Sequence, residues 1–233
     1  SNQTDGEDPT YSLASFDTNG FSISKNNDQP GQNNNGDGHV AWCWKGGGDA
    51  VANTDGTLNS QVSVNEEAGF SIVSWTSTGT TGSTIGHGLG KKPDWIMLKG
   101  RDTSENQPWR VYHKQLGATK SLMLDSSSAS AAQTGVWNDT EPTSSVFTVG
   151  SFGSTNENTK KYIAYCWCEV PGYSKFGKYT GNGSSDGTYV NLGFRPAWLM
   201  VKRTSSTDSW LIMDNKRDVV NPATQTQAPQ SNR

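Results

Sequence analysis

The sequence predicts an all-β protein built from antiparallel β-sandwich or jelly-roll-like repeats of about 103 residues. Three observations lead to this fold class. Short apolar runs alternate with turn-forming residues, among them 26 glycines, as is typical of many short strands. No segment has the apolar periodicity of an amphipathic helix three turns long. Finally, parts of the sequence occur again later in the chain, which indicates a repeated structural unit.

The first match defines the length of the repeat. Residues 173–202 align with residues 70–99 without a gap, at an offset of 103. Identical or similar residues stand at Phe70 and Tyr173, Gly90 and Gly193, Lys92 and Arg195, Pro93 and Pro196, Trp95 and Trp198, Met97 and Met200, and Lys99 and Lys202. After a gap, Trp109 matches Trp210.

The second match shows where the repeat is interrupted. Residues 39–44 resemble residues 162–167, at an offset of 123. We therefore interpret the chain as the end of one repeat, a whole repeat and the start of another. The predicted parts are closing strands of a first repeat (1–48), a linker (49–60), a complete sandwich repeat (61–170), opening strands of a further repeat (171–220) and a polar tail (221–233).

The two incomplete ends are complementary. A half-sandwich exposes unpaired strand edges, which promote aggregation. We expect residues 1–48 to complete the sheet that residues 171–220 begin, either within one chain or between neighbouring copies. In the second case strand addition would give a head-to-tail fibre. The alternative is that the chain is a fragment of a longer repeat protein whose other residues cover both ends.

The predicted elements follow in order along the chain. Residues 1–15 are polar and expected to be flexible or only locally paired. Residues 16–23 are predicted to form a strand, an Asn-Gly turn and a second strand, and residues 39–45 a further strand. The complete repeat has eight candidate strands, at 61–65, 69–75, 83–87, 94–99, 109–114, 120–125, 145–150 and 161–168. The C-terminal part has four, near 173–180, 188–191, 197–203 and 209–214. Residues 95–98 are entirely apolar, which predicts a strand covered on both faces.

Composition and net charge limit the kinds of core and of binding partner that we expect. Nine Trp, seven Tyr and seven Phe can support a thin core although the hydrophobic fraction is only 31%, because each aromatic ring buries a large area. The formal charge is −3 and Lys and Arg form no run, so nucleic acid is not expected as a partner. No apolar stretch approaches the length of a membrane span, so membrane insertion is not expected either.

No catalytic motif accompanies the three histidines, His39, His87 and His113. No Ser, Cys or Asp is placed by a known motif to act with them as a nucleophile or an orienting group. The sequence also has no nucleophile elbow, P-loop or zinc-protease helix. The protein is therefore predicted not to be an enzyme.

Four turns rich in Asp, Asn and Gly offer oxygen atoms that suit a calcium ion. They lie at residues 17–20, 35–38, 53–56 and 182–187. None matches a complete calcium-binding motif, and turn formation alone accounts for these residue types. No cofactor is therefore predicted, and Ca²⁺ is the weaker alternative.

An exposed aromatic ring beside polar groups is the contact expected for a sugar. Trp75, Trp109, Trp137 and Trp210 each have polar or charged neighbours in the sequence. Trp109 and Trp210 occupy matching repeat positions, which favours a role in the core. Trp137 has no counterpart, so it is the main candidate for a glycan contact, followed by Trp75 and Trp109.

Several motifs resemble repeat domains of large virion proteins of tailed phages, common in marine and cyanobacterial phages and often described as tail-fibre or tail-associated proteins. The motifs are residues 42–48 (Trp-Cys-Trp-Lys-Gly-Gly-Gly), 68–75 (Ala-Gly-Phe-Ser-Ile-Val-Ser-Trp), 86–90 (Gly-His-Gly-Leu-Gly), 169–177 (Glu-Val-Pro-Gly-Tyr-Ser-Lys-Phe-Gly), 193–198 (Gly-Phe-Arg-Pro-Ala-Trp) and 214–218 (Asp-Asn-Lys-Arg-Asp). The resemblance covers roughly residues 16–220.

The resemblance implies a structural protein at the virion surface, as a repeat module of a tail fibre, spike or capsid decoration. Its partners would be copies of itself or other virion proteins. Lectin-like domains often accompany such proteins, so a carbohydrate-binding module that adheres to host surface glycans is the alternative, by analogy. The complementary ends lead to a third reading, a head-to-tail extracellular fibre subunit.

Overall fold

A computed structural model of the chain describes residues 13–23, 33, 35, 36, 39, 41–217 and 226–228. These residues form mainly antiparallel β-sheet, which confirms the all-β prediction. The elements are, in order, β1 (Leu13–Asp17), β2 (Gly20–Ile23), β3 (Val51–Asn53), β4 (Ser60–Asn65), β5 (Phe70–Thr76), β6 (Thr84–Gly86), β7 (Trp95–Gly100), β8 (Arg110–His113), β9 (Lys120–Met123), β10 (Ala131–Ala132), α1 (Thr134–Trp137), β11 (Val146–Thr148), α2 (Gly153–Asn156), β12 (Lys161–Trp167), β13 (Trp198–Lys202) and β14 (Trp210–Asp214). Within this part of the chain, no helix has the length and apolar character needed to cross a membrane.

An eight-stranded sheet, here called the main sheet, dominates the structure, with the strand order β10-β9-β8-β7-β12-β5-β4-β3. It consists of two meanders whose strands follow one another in space as in sequence, β3-β4-β5 and β7-β8-β9-β10. β12 lies between them and pairs antiparallel with β5 over seven residue pairs and with β7 over six. The last strand of the main sheet in sequence is therefore one of its central strands.

All eight strands predicted for residues 61–170 are present, as β4 to β9, β11 and β12. The prediction that residues 49–60 form only a linker was wrong, because these residues include β3. This strand pairs with β4 from Val51 to Asn53 and forms one edge of the main sheet. The prediction missed β3 because three residues are too few for an alternating apolar pattern to be recognised.

Side chains on one face of the main sheet form the first core. Tyr162, Ala164 and Cys166 alternate along β12 toward this face and are fully buried. The paired strands β6 and β11 add Ile85 and Phe147, which are also fully buried in the same cluster. This second, smaller layer gives the fold its sandwich-like character.

The opposite face of the main sheet carries the second core. Its buried members from the main sheet are Phe70, Trp95, Val111, Leu122 and Trp167. The β13–β14 hairpin packs onto this face, since Trp210 belongs to the same cluster and is 5% exposed. The indole Nε1 of Trp210 also donates a hydrogen bond to the Met123 carbonyl oxygen at 2.9 Å. Apolar burial on both faces of β7 agrees with the prediction for residues 95–98.

Only two of the four strands predicted in the C-terminal part are present, namely β13 and β14. The prediction was wrong for residues 173–180 and 188–191, which form no strand and are mostly exposed. An isolated segment of a sheet protein gains no ladder hydrogen bonds until a neighbouring strand lies beside it. Gln227, in the predicted tail, exchanges backbone hydrogen bonds of 2.9 and 3.0 Å with Ile212, so residues 226–228 lie along β14. The rest of the predicted tail lies outside the described residues.

The N-terminal part contains one hairpin. β1 and β2 confirm the strand, turn and strand predicted at residues 16–23, and they place Phe16 opposite Phe21 on an exposed surface. Most of residues 1–15 lie outside the described residues. The prediction of a strand at residues 39–45 was wrong for the described residues 39 and 41–45, which form no strand and pair with none.

A close contact with β4 fixes the segment that follows. The Gly47 N–H donates to Ser63 Oγ at 3.3 Å, and Ser63 Oγ donates to the Gly48 carbonyl oxygen at 2.7 Å. A Cβ atom at Gly47 would lie 1.6 Å from the Val64 carbonyl oxygen, whereas at Gly46 the nearest atom would be 3.5 Å away. Only a residue without a side chain can therefore occupy position 47.

We predict that Gly47→Ala destabilises the protein by about 1–3 kcal/mol, because the added methyl group meets backbone atoms of β4 that the β4–β5 ladder holds in place. Urea unfolding monitored by tryptophan fluorescence measures the change. Gly46→Ala is the matched control and should change the free energy of unfolding by less than about 1 kcal/mol. Equal stabilities of the two variants would show that residues 45–48 do not lie against β4.

Candidate functional site

Two of the three histidines stabilise turns. The His87 ring is fully buried, with Nε2 3.3 Å from the Thr143 carbonyl oxygen and Nδ1 accepting a hydrogen bond from the Leu89 N–H at 3.2 Å. Burial lowers the pKa of His87. In His113, Nδ1 accepts the Gln115 N–H at 3.1 Å. These contacts give both rings a role in local structure.

The Asn- and Asp-rich turns use their side-chain oxygens internally. Asn53 Oδ1 accepts the Asp55 N–H at 3.0 Å, and Asn182 Oδ1 accepts the Ser184 N–H at 3.0 Å, as in ordinary Asx turns. Among the residues that the structure describes, no group of three or more His, Cys, Asp or Glu side chains could hold a metal ion. The prediction of no cofactor, with Ca²⁺ as the weaker alternative, stays a prediction.

The structure buries the two leading glycan candidates among the tryptophans. Trp137 is 1% exposed and packs edge-on against Tyr112, with 6.0 Å between ring centroids. Trp75 is 5% exposed and stacks on Tyr162 at 5.6 Å. Neither ring offers a face to a ligand, so the expectation that they are exposed is wrong. Polar neighbours in the sequence do not reveal which face of the sheet a tryptophan side chain lies on.

Of the other two tryptophan candidates, Trp210 belongs to the second core and Trp109 contacts Tyr165, which packs against that core. Trp109 is half-buried and stacks on Tyr165, with 6.3 Å between ring centroids. Trp210 is buried at the second core through the contacts described above. Both locations fit the core role expected from their matching positions in the two sequence segments.

A shallow polar depression of about 210 Å³ lies where β4 and β12 begin and β5 ends. Trp75 forms part of its wall. The other lining residues carry amide, hydroxyl or cationic groups: Asn59, Ser60, Gln61, Ser74, Thr76, Arg101 and Lys161. Donors and acceptors next to two positive charges suit a hydroxylated ligand that carries an acidic group.

A tryptophan cluster, formed by Trp44, Trp95, Trp167 and Trp198, joins the terminal parts of the chain to the main sheet. Trp95 and Trp167 stack with ring centroids 4.5 Å apart. Trp44 lies edge-on to Trp167 at 5.7 Å and to Trp198 at 6.1 Å. Such aromatic pairs contribute about 1 kcal/mol each beyond the area they bury. Trp44 is still 38% exposed, so the cluster reaches the protein surface.

A charged cluster anchors the chain where it leaves β12. Lys114 Nζ lies 3.0 Å from Asp94 Oδ1 and 2.7 Å from Glu169 Oε1, while Lys175 Nζ lies 3.3 Å from Glu169 Oε2. Glu169 Oε1 also accepts the Phe176 N–H at 2.9 Å. The cluster thereby ties residues 169–176 to the end of the β7–β8 hairpin.

Hydrogen bonds within the charged cluster lower the pKa of Glu169 and raise the pKa of Lys114. Burial alone would raise the pKa of Glu169, but the hydrogen bonds from Lys114 and Phe176 outweigh it and lower the pKa below its ordinary value of 4.5. Burial alone would lower the pKa of Lys114, but hydrogen bonds to Glu169 and Asp94 raise it. Both groups are therefore held in their charged forms.

The sequence analysis did not identify either cluster. The sequence did contain a signal for the tryptophan cluster. The two matches pair Trp44 with Trp167 and Trp198 with Trp95, and Trp167 stacks on Trp95 in the main sheet. No signal existed for the charged cluster. Its members are far apart in sequence, and the position that matches Asp94 is Ala197.

Comparison with known protein families gives one match. The model of a domain of unknown function, DUF7483, matches residues 1–233. The chain belongs to this family. No curated protein and no solved structure matches it. The match covers the N-terminal and C-terminal parts of the chain as well as the residues between them.

We predict that Glu169→Gln lowers the free energy of unfolding at pH 7 by about 1–2 kcal/mol, because a charged hydrogen bond partner is lost. Since the folded-state pKa of Glu169 is lowered, its stabilising contribution is complete above 4.5 and is lost as the pH falls through the folded-state pKa. The difference between wild type and variant should therefore shrink in acid. Urea unfolding over a pH series measures it, with the exposed Glu67→Gln as control. Parallel pH profiles for wild type and Glu169→Gln would contradict the assignment.

Proposed function

We propose that the protein is a non-enzymatic structural component of a bacteriophage particle, acting as a repeat module of a tail fibre, spike or capsid decoration at the virion surface. The observation that carries this proposal is a hairpin that occurs twice with the same pairing. The resemblance of the sequence motifs to virion repeat domains supports the assignment to a phage.

The two hairpins pair residues that match in the sequence. In β7–β8 the pairs are Trp95–His113, Ile96–Tyr112, Met97–Val111 and Leu98–Arg110. In β13–β14 they are Trp198–Asp214, Leu199–Met213, Met200–Ile212 and Val201–Leu211. Each position of the first hairpin thus has a counterpart at the same place in the second. We infer that the chain contains repeats of about 103 residues and that β13–β14 begins a further copy.

The residues that recur are packing residues. Met97 and its counterpart Met200 both pack against the second core. Trp95 and its counterpart Trp198 both belong to the tryptophan cluster. Repetition of packing positions builds an extended scaffold in which each unit contacts its neighbours. A fibre or a decorated surface needs such a scaffold, and its function depends on shape and association.

The protein surface also offers contacts for association. Phe16 is 87% exposed and lies opposite Phe21 on the β1–β2 hairpin. Exposed apolar groups of this kind favour contacts with other proteins. The proposed partners are copies of this chain or other virion proteins.

We predict that antibodies against the protein label purified particles of the virus that encodes it, at the tail or on the capsid surface, in immunogold electron microscopy. A protein that is present in infected cells but absent from washed particles would overturn the proposal. Light scattering after size exclusion then distinguishes the forms of assembly. A discrete trimer indicates a fibre or spike, and growth with concentration indicates a head-to-tail fibre subunit.

Carbohydrate binding is the second candidate function, and the polar depression beside Trp75 favours it. An adhesion module on a virion would use such a surface to bind host glycans. Because Trp75 is buried, recognition would rest on the amide and hydroxyl groups together with the charges of Arg101 and Lys161. This arrangement favours acidic sugars over neutral ones.

If the second candidate is right, we predict that the protein binds acidic glycans on a glycan array. Gln61→Ala and Lys161→Ala should each weaken this binding about tenfold, because each removes a polar or charged contact. The exposed Lys120→Ala on β9 is the control. Binding that is unchanged in both pocket variants would exclude the depression as the site.

A further inference from the structure

No strand among the described residues covers the outer edge of β13. Among the described residues β13 pairs only with β14, over the five residue pairs from Trp198 to Lys202. In the main sheet the matching strand is β7, and its corresponding edge is covered by β12 over six residue pairs. An uncovered edge of this kind presents unpaired backbone N–H and C=O groups that can bind another strand.

The chain contains a second segment that resembles β12. Residues 41–44 (Ala-Trp-Cys-Trp) correspond to Ala164, Tyr165, Cys166 and Trp167 in the match that covers residues 162–167. In β12 these four residues lie opposite Leu98, Met97, Ile96 and Trp95 of β7. The same register applied to β13 would place Trp44 opposite Trp198 and Cys43 opposite Leu199.

The structure already brings the two segments together within one chain. The Trp44 and Trp198 rings are in edge contact with centroids 6.1 Å apart, and the corresponding rings of Trp167 and Trp95 are 4.5 Å apart. The hydrogen bond from Asn65 Nδ2 to the Lys45 carbonyl oxygen, 3.1 Å long, holds the next residue on the main sheet. Trp44 therefore already lies beside the first residue of β13, although residues 41–44 form no strand in the described part of the chain.

The geometry points to a strand formed by residues 41–44 on the outer edge of β13 of the same chain, antiparallel and with Trp44 opposite Trp198. This inference rests on the repeat proposed above. The N-terminal part of the chain would then complete the sheet that the C-terminal part begins, and that sheet would face the second core of the main sheet.

Closure within one chain has a consequence for assembly. Once residues 41–44 cover the edge of β13, a second copy cannot add its own strand there. Contacts between copies in the proposed particle would then use other surfaces, such as the β1–β2 hairpin.

A disulfide cross-link tests the register. Cys43 is exposed, while Cys166 and Cys168 are buried, and burial raises the pKa of the Cys166 thiol, which makes it unreactive. Leu199 is 43% exposed, so Leu199→Cys removes little core packing. Directly opposite residues in an antiparallel pair lie about 4.5–5.5 Å apart, within the range that a disulfide bridges.

We predict that mild oxidation of Leu199→Cys gives an intramolecular disulfide to Cys43, identified by peptide mass spectrometry in the monomer after non-reducing electrophoresis. Val201→Cys is the matched control, because its side chain lies on the same face but diagonally to Cys43, about 7–8 Å away in this register. It should leave Cys43 free to react with a thiol reagent.

Three outcomes would overturn the inference. A disulfide-linked dimer of Leu199→Cys would show that the strand comes from a second copy. Equal cross-linking of both variants would show that Cys43 lies near β13 but not in the proposed register. Free thiols in both folded variants would show that residues 41–44 do not cover the edge of β13. Far-ultraviolet circular dichroism confirms folding in each case. None of these outcomes bears on the presence of the protein in virus particles, so failure here is distinguishable from failure of the proposed function.

Discussion

The pairing of β12 with both β5 and β7 is the interaction on which the rest of the structure depends. It joins two meanders that share no other strand pairing in the main sheet. Alternate residues of β12 also enter both cores, with Tyr162 and Cys166 on one face and Trp167 on the other. Without this strand the main sheet would divide in two, and each core would lose a central part of its packing.

A chain with few hydrophobic residues builds these two cores largely from aromatic rings, and it also buries one arginine. Fully buried Tyr112, Tyr162, Phe147 and Trp137 fill much of the first core. Arg110 is buried as well, but its guanidinium donates to Ser154 Oγ at 2.9 Å and to Gln133 Oε1 at 2.8 Å. Burying a cation is costly unless its donors are paired, and this network allows Arg110 to remain inside.

The sequence predicted individual strands well because each has an apolar run bounded by turn residues, as in β5 and β7. It could not predict the strand order, since nothing in a local pattern states that β12 returns between β5 and β7. The burial of Trp137 was missed for a related reason. Its ring is covered by Tyr112, a contact that exists only after folding. The charged cluster of Asp94, Lys114 and Glu169 likewise combines residues with no shared local pattern.

The position of β12 at the end of the main sheet's sequence affects how the protein folds as it is synthesised. β5 is complete roughly 90 residues before β12 emerges, so this pairing closes a long loop and is expected to form slowly. Until then both meanders expose an apolar edge and unpaired backbone groups, which favours association between nascent chains. A nascent chain from which residues 161–167 have not yet emerged would therefore hold two half-sheets that no strand joins.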